Sequence, residues 1–202
     1  MMKVLVITGG IGSGKSEVCR IMHELGITAQ YNADTRVKEL YHRHPTLLSS
    51  IENKLGVVLR DEEGAFLPGR LAERIFNDRS ALHEVESLVF PALLEDFEEF
   101  KTARAGEDYL VFESATILEK DLFDGFGDYT VLVDAPFEER LERACLRDGT
   151  DRDAVIKRMN NQRLMNQISD GYQDPRVDFV ILNDSSREDL EDKIKVLLTE
   201  NL

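Results

Sequence analysis

Positive charge is scarce in this chain. Its 202 residues carry 25 Lys and Arg against 39 Asp and Glu, for a net charge of −14 and a pI near 4.7. A general nucleic-acid binder needs a basic surface whose contacts release counterions, so that class is excluded. Any phosphate site must be a local positive spot in a negative protein. Cysteine is sparse too, with only Cys19 and Cys145. Both fall on apolar faces of predicted helices, and we read them as buried free thiols rather than a disulfide or redox pair. The four histidines are scattered, and no Cys/His set has zinc spacing. No apolar run approaches the roughly 18 residues that a membrane span needs. The chain runs straight into Lys3-Val4-Leu5-Val6-Ile7 without a charged flank or a small-residue cleavage site. We therefore expect no signal peptide and a cytoplasmic protein. Internal repeats and low-complexity linkers are absent from the sequence.

What is present is an ordinary soluble composition, 42% apolar and 32% charged, at a length that fits one core with an insertion. Residues 3–8 predict a buried strand, a short apolar run ending at a glycine cluster. A helix follows over 15–25, with Val18, Ile21, Met22 and Leu25 on one face and Gly26 as its C-cap. A short strand covers 28–32, and Asp34 opens another helix. Residues 45–105 read as helical, with turns at Asp61-Glu62-Glu63-Gly64 and Pro68-Gly69 and a kink or division at Pro91. Further strands are predicted at 109–113, 129–134 and 178–183. Pro136 marks a helix start, and Phe137, Leu141, Ala144 and Cys145 its buried face. Ser185 and Glu188 look like a capping box for the last helix. Strands alternating with helices imply an α/β fold with a parallel sheet.

The chemistry starts at Gly9-Gly10-Ile11-Gly12-Ser13-Gly14-Lys15-Ser16, which matches G-x-x-x-x-G-K-[ST]. Several backbone N–H groups must turn toward one anion, and glycines permit that tight turn. The following helix adds partial positive charge at its N-terminus. The context is specific, with a strand directly before the loop and an amphipathic helix directly after it. We assign ATP binding to Gly10, Ile11, Gly12, Ser13, Gly14, Lys15, Ser16 and Glu17. Lys15 should reach the β- and γ-phosphates, and the Ser16 hydroxyl should ligate Mg²⁺.

A phosphate loop alone does not choose a function. A GTPase switch needs a guanine-reading Asn-Lys-x-Asp after a strand, whereas Asn53-Lys54-Leu55-Gly56 lacks the Asp and lies in a helical stretch. A motor or transporter needs an apolar strand ending in Asp, and the nearest candidate ends in Glu113. A small-molecule kinase needs a carboxylate near the acceptor hydroxyl, a helical acceptor region and an arginine-bearing lid that excludes water. Asp34 follows the second strand, where open α/β sheets bind ligands. It is either the base that orients the acceptor, a helix N-cap, or both. Arg143 and Arg147 lie one helical turn apart, and Arg152, Arg158 and Arg163 follow. They read either as lid cations suited to phosphoryl charge or as a solvated face paired with Glu139, Glu142 and Asp148.

These residues resemble the dephospho-coenzyme A kinase family over nearly the whole chain. The likeness is carried by Ile7 through Ser16, by Gly26, by Ala33-Asp34, by Leu71 with Ile75-Phe76, and by Ile117-Leu118-Glu119. Val133-Asp134-Ala135-Pro136, Arg143, Arg147-Asp148-Gly149, Gln162 and Asp178 through Asn183 also fall in register. The resemblance implies a P-loop NTPase three-layer fold: a core over about 1–34, 106–147 and 177–202, a helical acceptor-binding insertion over 35–105 and a helical lid over 148–176. It implies transfer of the ATP γ-phosphoryl to the ribose 3′-hydroxyl of dephospho-coenzyme A, with ATP and Mg²⁺ bound and no nucleic acid or membrane partner. Catalysis would rest on Lys15, Asp34, Arg143 and Arg147, in a monomer or small homo-oligomer. The acceptor would meet Thr8, Asp34, Arg70, Arg74 and Glu113. The chain departs from the family pattern at Glu17, at Asn32 where the family has Asp, at Pro68, at Phe90, and at Ser114-Ala115-Thr116. Another small-molecule kinase, acting on nucleosides or nucleoside monophosphates, and a nucleotide-binding regulator without turnover are the competing readings.

Overall fold

The computed structural model describes residues 2–76 and 78–201. In chain order it runs β1 (Lys3–Thr8), α1 (Lys15–Glu24), β2 (Gln30–Asn32), α2 (Ala33–Arg43), α3 (Pro45–Leu55), α4 (Pro68–Phe76) and α5 (Arg79–Thr102). Then come β3 (Tyr109–Glu113), two 3₁₀ turns, β4 (Tyr129–Asp134), α6 (Phe137–Asp148), α7 (Arg152–Asn160), α8 (Arg163–Ser169), β5 (Phe179–Leu182) and α9 (Arg187–Val196). The chain divides into two units, Met1–Asn32 with Ala105–Leu202, and Ala33–Arg104. The segment 148–176 belongs to the first of these.

The first unit is a sheet of strand order β2-β3-β1-β4-β5, with every pairing parallel. β1 is central, buried on both faces, which is why Val4 through Ile7 read as a continuous apolar run. Leu5 and Ile7 point to one face. There they join Val18, Ile21 and Met22 of α1 and Leu190 and Ile194 of α9 in one core. On the other face Tyr31 stacks on Phe112 at 5.3 Å, and Phe126 meets Phe112 edge-on at 4.7 Å. The register sets Ile7 beside Glu113 and Val131, so the ends of three neighbouring strands open on the loop after β1.

The second unit is helical. α5 buries Ala81, Val85, Val89, Leu93 and Phe97, one residue every four. That stripe packs against α2, α3 and α4. It also explains why α5 runs undivided through Pro91, where the sequence suggested a kink or a division: the buried face continues on both sides of the missing N–H. Two smaller expectations are corrected as well. Pro68-Gly69 opens α4 instead of forming a turn, since proline is tolerated at a helix start. The cap of α9 is Ser186, whose hydroxyl accepts from Asp189 N–H at 3.2 Å, and not Ser185. Among the described residues no helix is long and apolar enough to cross a membrane.

Candidate active site

The loop between β1 and α1 is closed by glycine geometry and by its neighbours. Gly14 precedes α1 at φ 100°, and a Cβ there would collide with the Asn183 side-chain amide. Gly12, at φ 75°, lies so close to the Arg140 carbonyl oxygen that no side chain fits. Lys15 Nζ donates to the Gly9 and Gly10 carbonyls at 2.9 and 3.0 Å, which folds the cation back over the loop. The buried Ser13 and Thr8 hydroxyls have no hydrogen-bond partner among the described residues. For Thr8, whose side chain was expected to meet the acceptor, this means a fully buried position at the end of β1.

Side chains from α6, α7–α8 and the β5–α9 turn grip the same loop. Arg140 donates from Nε to the Ile11 carbonyl at 3.2 Å and pairs with Asp134 at 3.4 Å. Burial lowers the pKa of its guanidinium and the Asp134 charge opposes that, yet an arginine remains charged. Gln162 Oε1 accepts from Ile11 N–H at 2.8 Å, and Asn183 Nδ2 donates to the Ser13 carbonyl at 2.9 Å. Arg140 was not singled out from the sequence, because a helix rich in Glu and Arg reads as a solvated face. Gln162 and Asn183 carried only a resemblance.

Arg143 and Arg147 do not share a target. Arg143 donates to the Asn183 carbonyl at 3.2 Å and pairs with Glu139 at 2.6 Å, so it ties α6 to the turn that supports Ser13. Arg147 is 62% exposed and pairs with the adjacent Asp148 at 2.7 Å. Asp148 also accepts from Arg158 at 2.5 Å, and the two guanidinium groups hold its carboxyl well below the usual carboxylate range. Glu17 lies in the first turn of α1, and its carboxylate takes Arg20 at 2.6 Å and Arg187 at 3.0 Å. Those two cations neutralise the acid that departs from the family pattern.

Glu113 ends β3 beside the loop. Its two oxygens accept from the Ser16 hydroxyl at 3.0 Å and from Asn32 Nδ2 at 2.6 Å. A carboxylate and a hydroxyl in contact are hard oxygen donors of the kind Mg²⁺ selects. Among the described residues no group of three or more His, Cys, Asp or Glu could hold a metal ion. Cys19, buried nearby, is a free thiol whose pKa is pushed far up by burial and by the Glu113 charge. Cys145 is free and only half-buried, against the expectation of full burial.

Asp34, Arg70 and Arg74 belong to the second unit. Asp34 lies in the first turn of α2. Arg70 and Arg74 are on α4 and line an open groove of about 560 Å³ with Val57, Val58, Glu73 and Asp78. Arg70 donates to the Val58 carbonyl at 3.3 Å, and Arg74 pairs with Asp78 at 2.5 Å.

A glycine-rich loop leaving the central strand of a parallel sheet, closed by a lysine and entering a helix, defines a P-loop nucleotide-binding fold. The protein comparisons narrow that class. The dephospho-CoA kinase family model matches residues 3–189. The chain is 37% identical to a dephospho-CoA kinase of Porphyromonas gingivalis over 161 residues, 80% of this chain and 78% of that one. It is 34% identical to a dephospho-CoA kinase of Corynebacterium diphtheriae over 193 residues, 94% and 92% of the two chains. A solved Thermus thermophilus structure superposes with a TM-score of 0.82 at 27% identity, covering 100% of this chain and 98% of that one. A dephospho-CoA kinase from Campylobacter jejuni gives 0.67 at 22% identity, covering 99% and 97%. A shikimate kinase from Acinetobacter baumannii gives 0.55 at 19%, covering 100% and 95%. The last two speak for the fold alone. The chain belongs to the dephospho-CoA kinase family and is a kinase that uses ATP on a small-molecule substrate.

Proposed function

We propose that this protein transfers the γ-phosphoryl group of ATP to the ribose 3′-hydroxyl of dephospho-coenzyme A, giving coenzyme A and ADP. The observation that carries the reading is the closed loop at Gly9–Ser16 in a chain matched by that family over residues 3–189. Ile11 N–H and Ser13 N–H are bonded within the protein, so the other backbone N–H groups of the Gly10–Ser16 loop and the N-terminus of α1 cradle the phosphates. Lys15 exchanges its two loop carbonyls for the β- and γ-phosphates and neutralises charge on the transferring group. Ser16 and Glu113 would hold Mg²⁺, which would supply positive charge against the negative charge developing on the phosphates. Asp34 accepts the proton of the 3′-hydroxyl, or orients that oxygen for in-line attack. Arg143 and Arg147 act from the α6 side on the developing phosphoryl charge. Arg70 and Arg74 bind the acceptor. The same reading places the reaction in the cytoplasm, on a monomer or small homo-oligomer without a nucleic-acid partner.

The test is acceptor-dependent ADP release with ATP and Mg²⁺, comparing dephospho-coenzyme A with AMP, CMP and adenosine, and with product mass determined. Turnover with dephospho-coenzyme A alone, yielding coenzyme A, is expected. Turnover with AMP, CMP or adenosine instead would overturn the acceptor and leave the phosphoryl chemistry in place. In the same assay Asp34→Asn should lower kcat by about 10³-fold, inside the range of a lost general base.

A further inference from the structure

Ile11 is held from three directions. Its N–H donates to Gln162 and its carbonyl accepts from Arg140, at 2.8 and 3.2 Å. Its side chain packs against Leu141, Ala144, Val155 and Met159, the apolar cluster between α6 and α7. Arg140 and Gln162 are only 2% and 6% exposed. Removing a guanidinium and an amide from water is unfavourable unless their partners repay it. Both spend a hydrogen bond on one loop residue. The turn itself does not require this, since Ser13 N–H already closes it on the Gly10 carbonyl at 3.2 Å. The two grips also come from different places. Arg140 is on α6, whereas Gln162 is the residue that leads into α8 after α7 has ended.

We infer that Arg140, Gln162 and Ile11 form a positioning clamp that orients the Gly10–Gly12 peptide planes for polyphosphate and couples nucleotide binding to the α7–α8 segment. The clamp acts through the loop backbone, so these are positioning residues. Coupling of this kind is reciprocal: if α7–α8 stabilises the binding-competent loop, nucleotide must stabilise α7–α8 to the same degree. The inference rests on the phosphate-loop reading but not on the choice of acceptor. Its test therefore uses ADP and Mg²⁺ alone, and a wrong acceptor would leave it intact.

The experiment compares the full-length protein with Gln162→Met, which keeps length and removes the acceptor of the Ile11 N–H. ADP affinity is measured by calorimetry and amide exchange in α7–α8 with and without ADP. Gln162→Met should weaken ADP about tenfold, the scale of one buried hydrogen bond. ADP should slow amide exchange across α7–α8 in the parent protein and fail to do so in the variant. The unfolding temperature without nucleotide should fall by no more than a few degrees, the scale of one orphaned buried N–H. Arg140→Met should weaken ADP likewise, and should it fail to fold, Gln162→Met decides alone. Unchanged ADP affinity in Gln162→Met, or equal protection of α7–α8 in both proteins, would overturn the clamp. So would a lowered unfolding temperature with ADP affinity intact, which marks a merely structural bond.

Discussion

The loop end of the parallel sheet and the helical unit 33–104 place their charges by different rules. Around the loop, the buried Arg140 and Asn183 and the half-buried Lys15 end on backbone. Arg140 reaches Ile11, Asn183 reaches Ser13, and Lys15 reaches Gly9 and Gly10. In the helical unit most pairs lie along or between helix surfaces, as with Arg43 and Glu39, Lys54 and Glu84, and Arg74 and Asp78, and only Arg36 with Asp96 and Arg60 with Glu52 are largely shielded among the described residues. Exposed pairs of that kind contribute under about 1 kcal/mol each. The helical unit is held instead by its apolar stripe. One region therefore tolerates little polar change and the other tolerates a good deal, provided its core is kept.

Four substitutions test that contrast, from the largest effect to the smallest. Lys15→Met should lower kcat/KM by about 10³-fold, near 4 kcal/mol of transition-state stabilisation, while the unfolding temperature hardly moves. A loss of tenfold or less in steady-state ADP release would show that the loop lysine is not the main source of neutralising charge. Phe97→Ala removes a ring that is 1% exposed, and should lower stability by about 3 kcal/mol in urea unfolding. A loss below about 1 kcal/mol would mean that the stripe does not hold this unit.

Asp174→Asn probes a buried pair in the first unit. The Asp174 side chain is 2% exposed and accepts twice from the Arg176 guanidinium, at 2.9 and 2.7 Å. Those bonds hold its carboxyl below the usual range. A depressed folded-state pKa stabilises above the unfolded value of about 3.9, and that stabilisation fades as pH falls through the folded value. The parent should exceed the variant by about 2 kcal/mol at neutral pH, the scale of a charge-assisted bond. The gap should close in acid, and a gap that stays constant down to strongly acidic pH would contradict the assignment. Arg147→Ala, at an exposed pair, should change stability by less than about 0.5 kcal/mol. A larger loss would move Arg147 from the surface rule to the buried one.

The sequence was legible where a function is carried by neighbours along the chain. The phosphate loop needs glycines at fixed spacing, a strand before it and a helix after it, and all three are local signals. The central strands were legible because strands buried on both faces leave continuous apolar runs. Legibility failed where the partner is remote. Pro91 looked like a break because the packing that carries α5 past it comes from α2, α3 and α4. Arg140 looked like one more charge on an acidic helix, and nothing near it in sequence shows that it lies under Gly10 and Ile11. Glu113 read as a strand-end acid and, from the family resemblance, as an acceptor contact, and only the β1–β3 register brings it to Ser16. Ser186 rather than Ser185 caps α9, a one-residue choice that depends on where β5 releases the chain.

Taken alone, the sequence determined the α/β class, the phosphate loop with Lys15 and Ser16, and the family, because glycine spacing and apolar periodicity act over a few residues. The tertiary structure alone decided which polar side chains are buried against the loop. Arg140, Gln162 and Asn183 are separated from it by well over one hundred residues, and only strand register and helix packing bring them within hydrogen-bond distance. Desolvation then makes those contacts matter, since a buried polar group must be satisfied where the fold has put it.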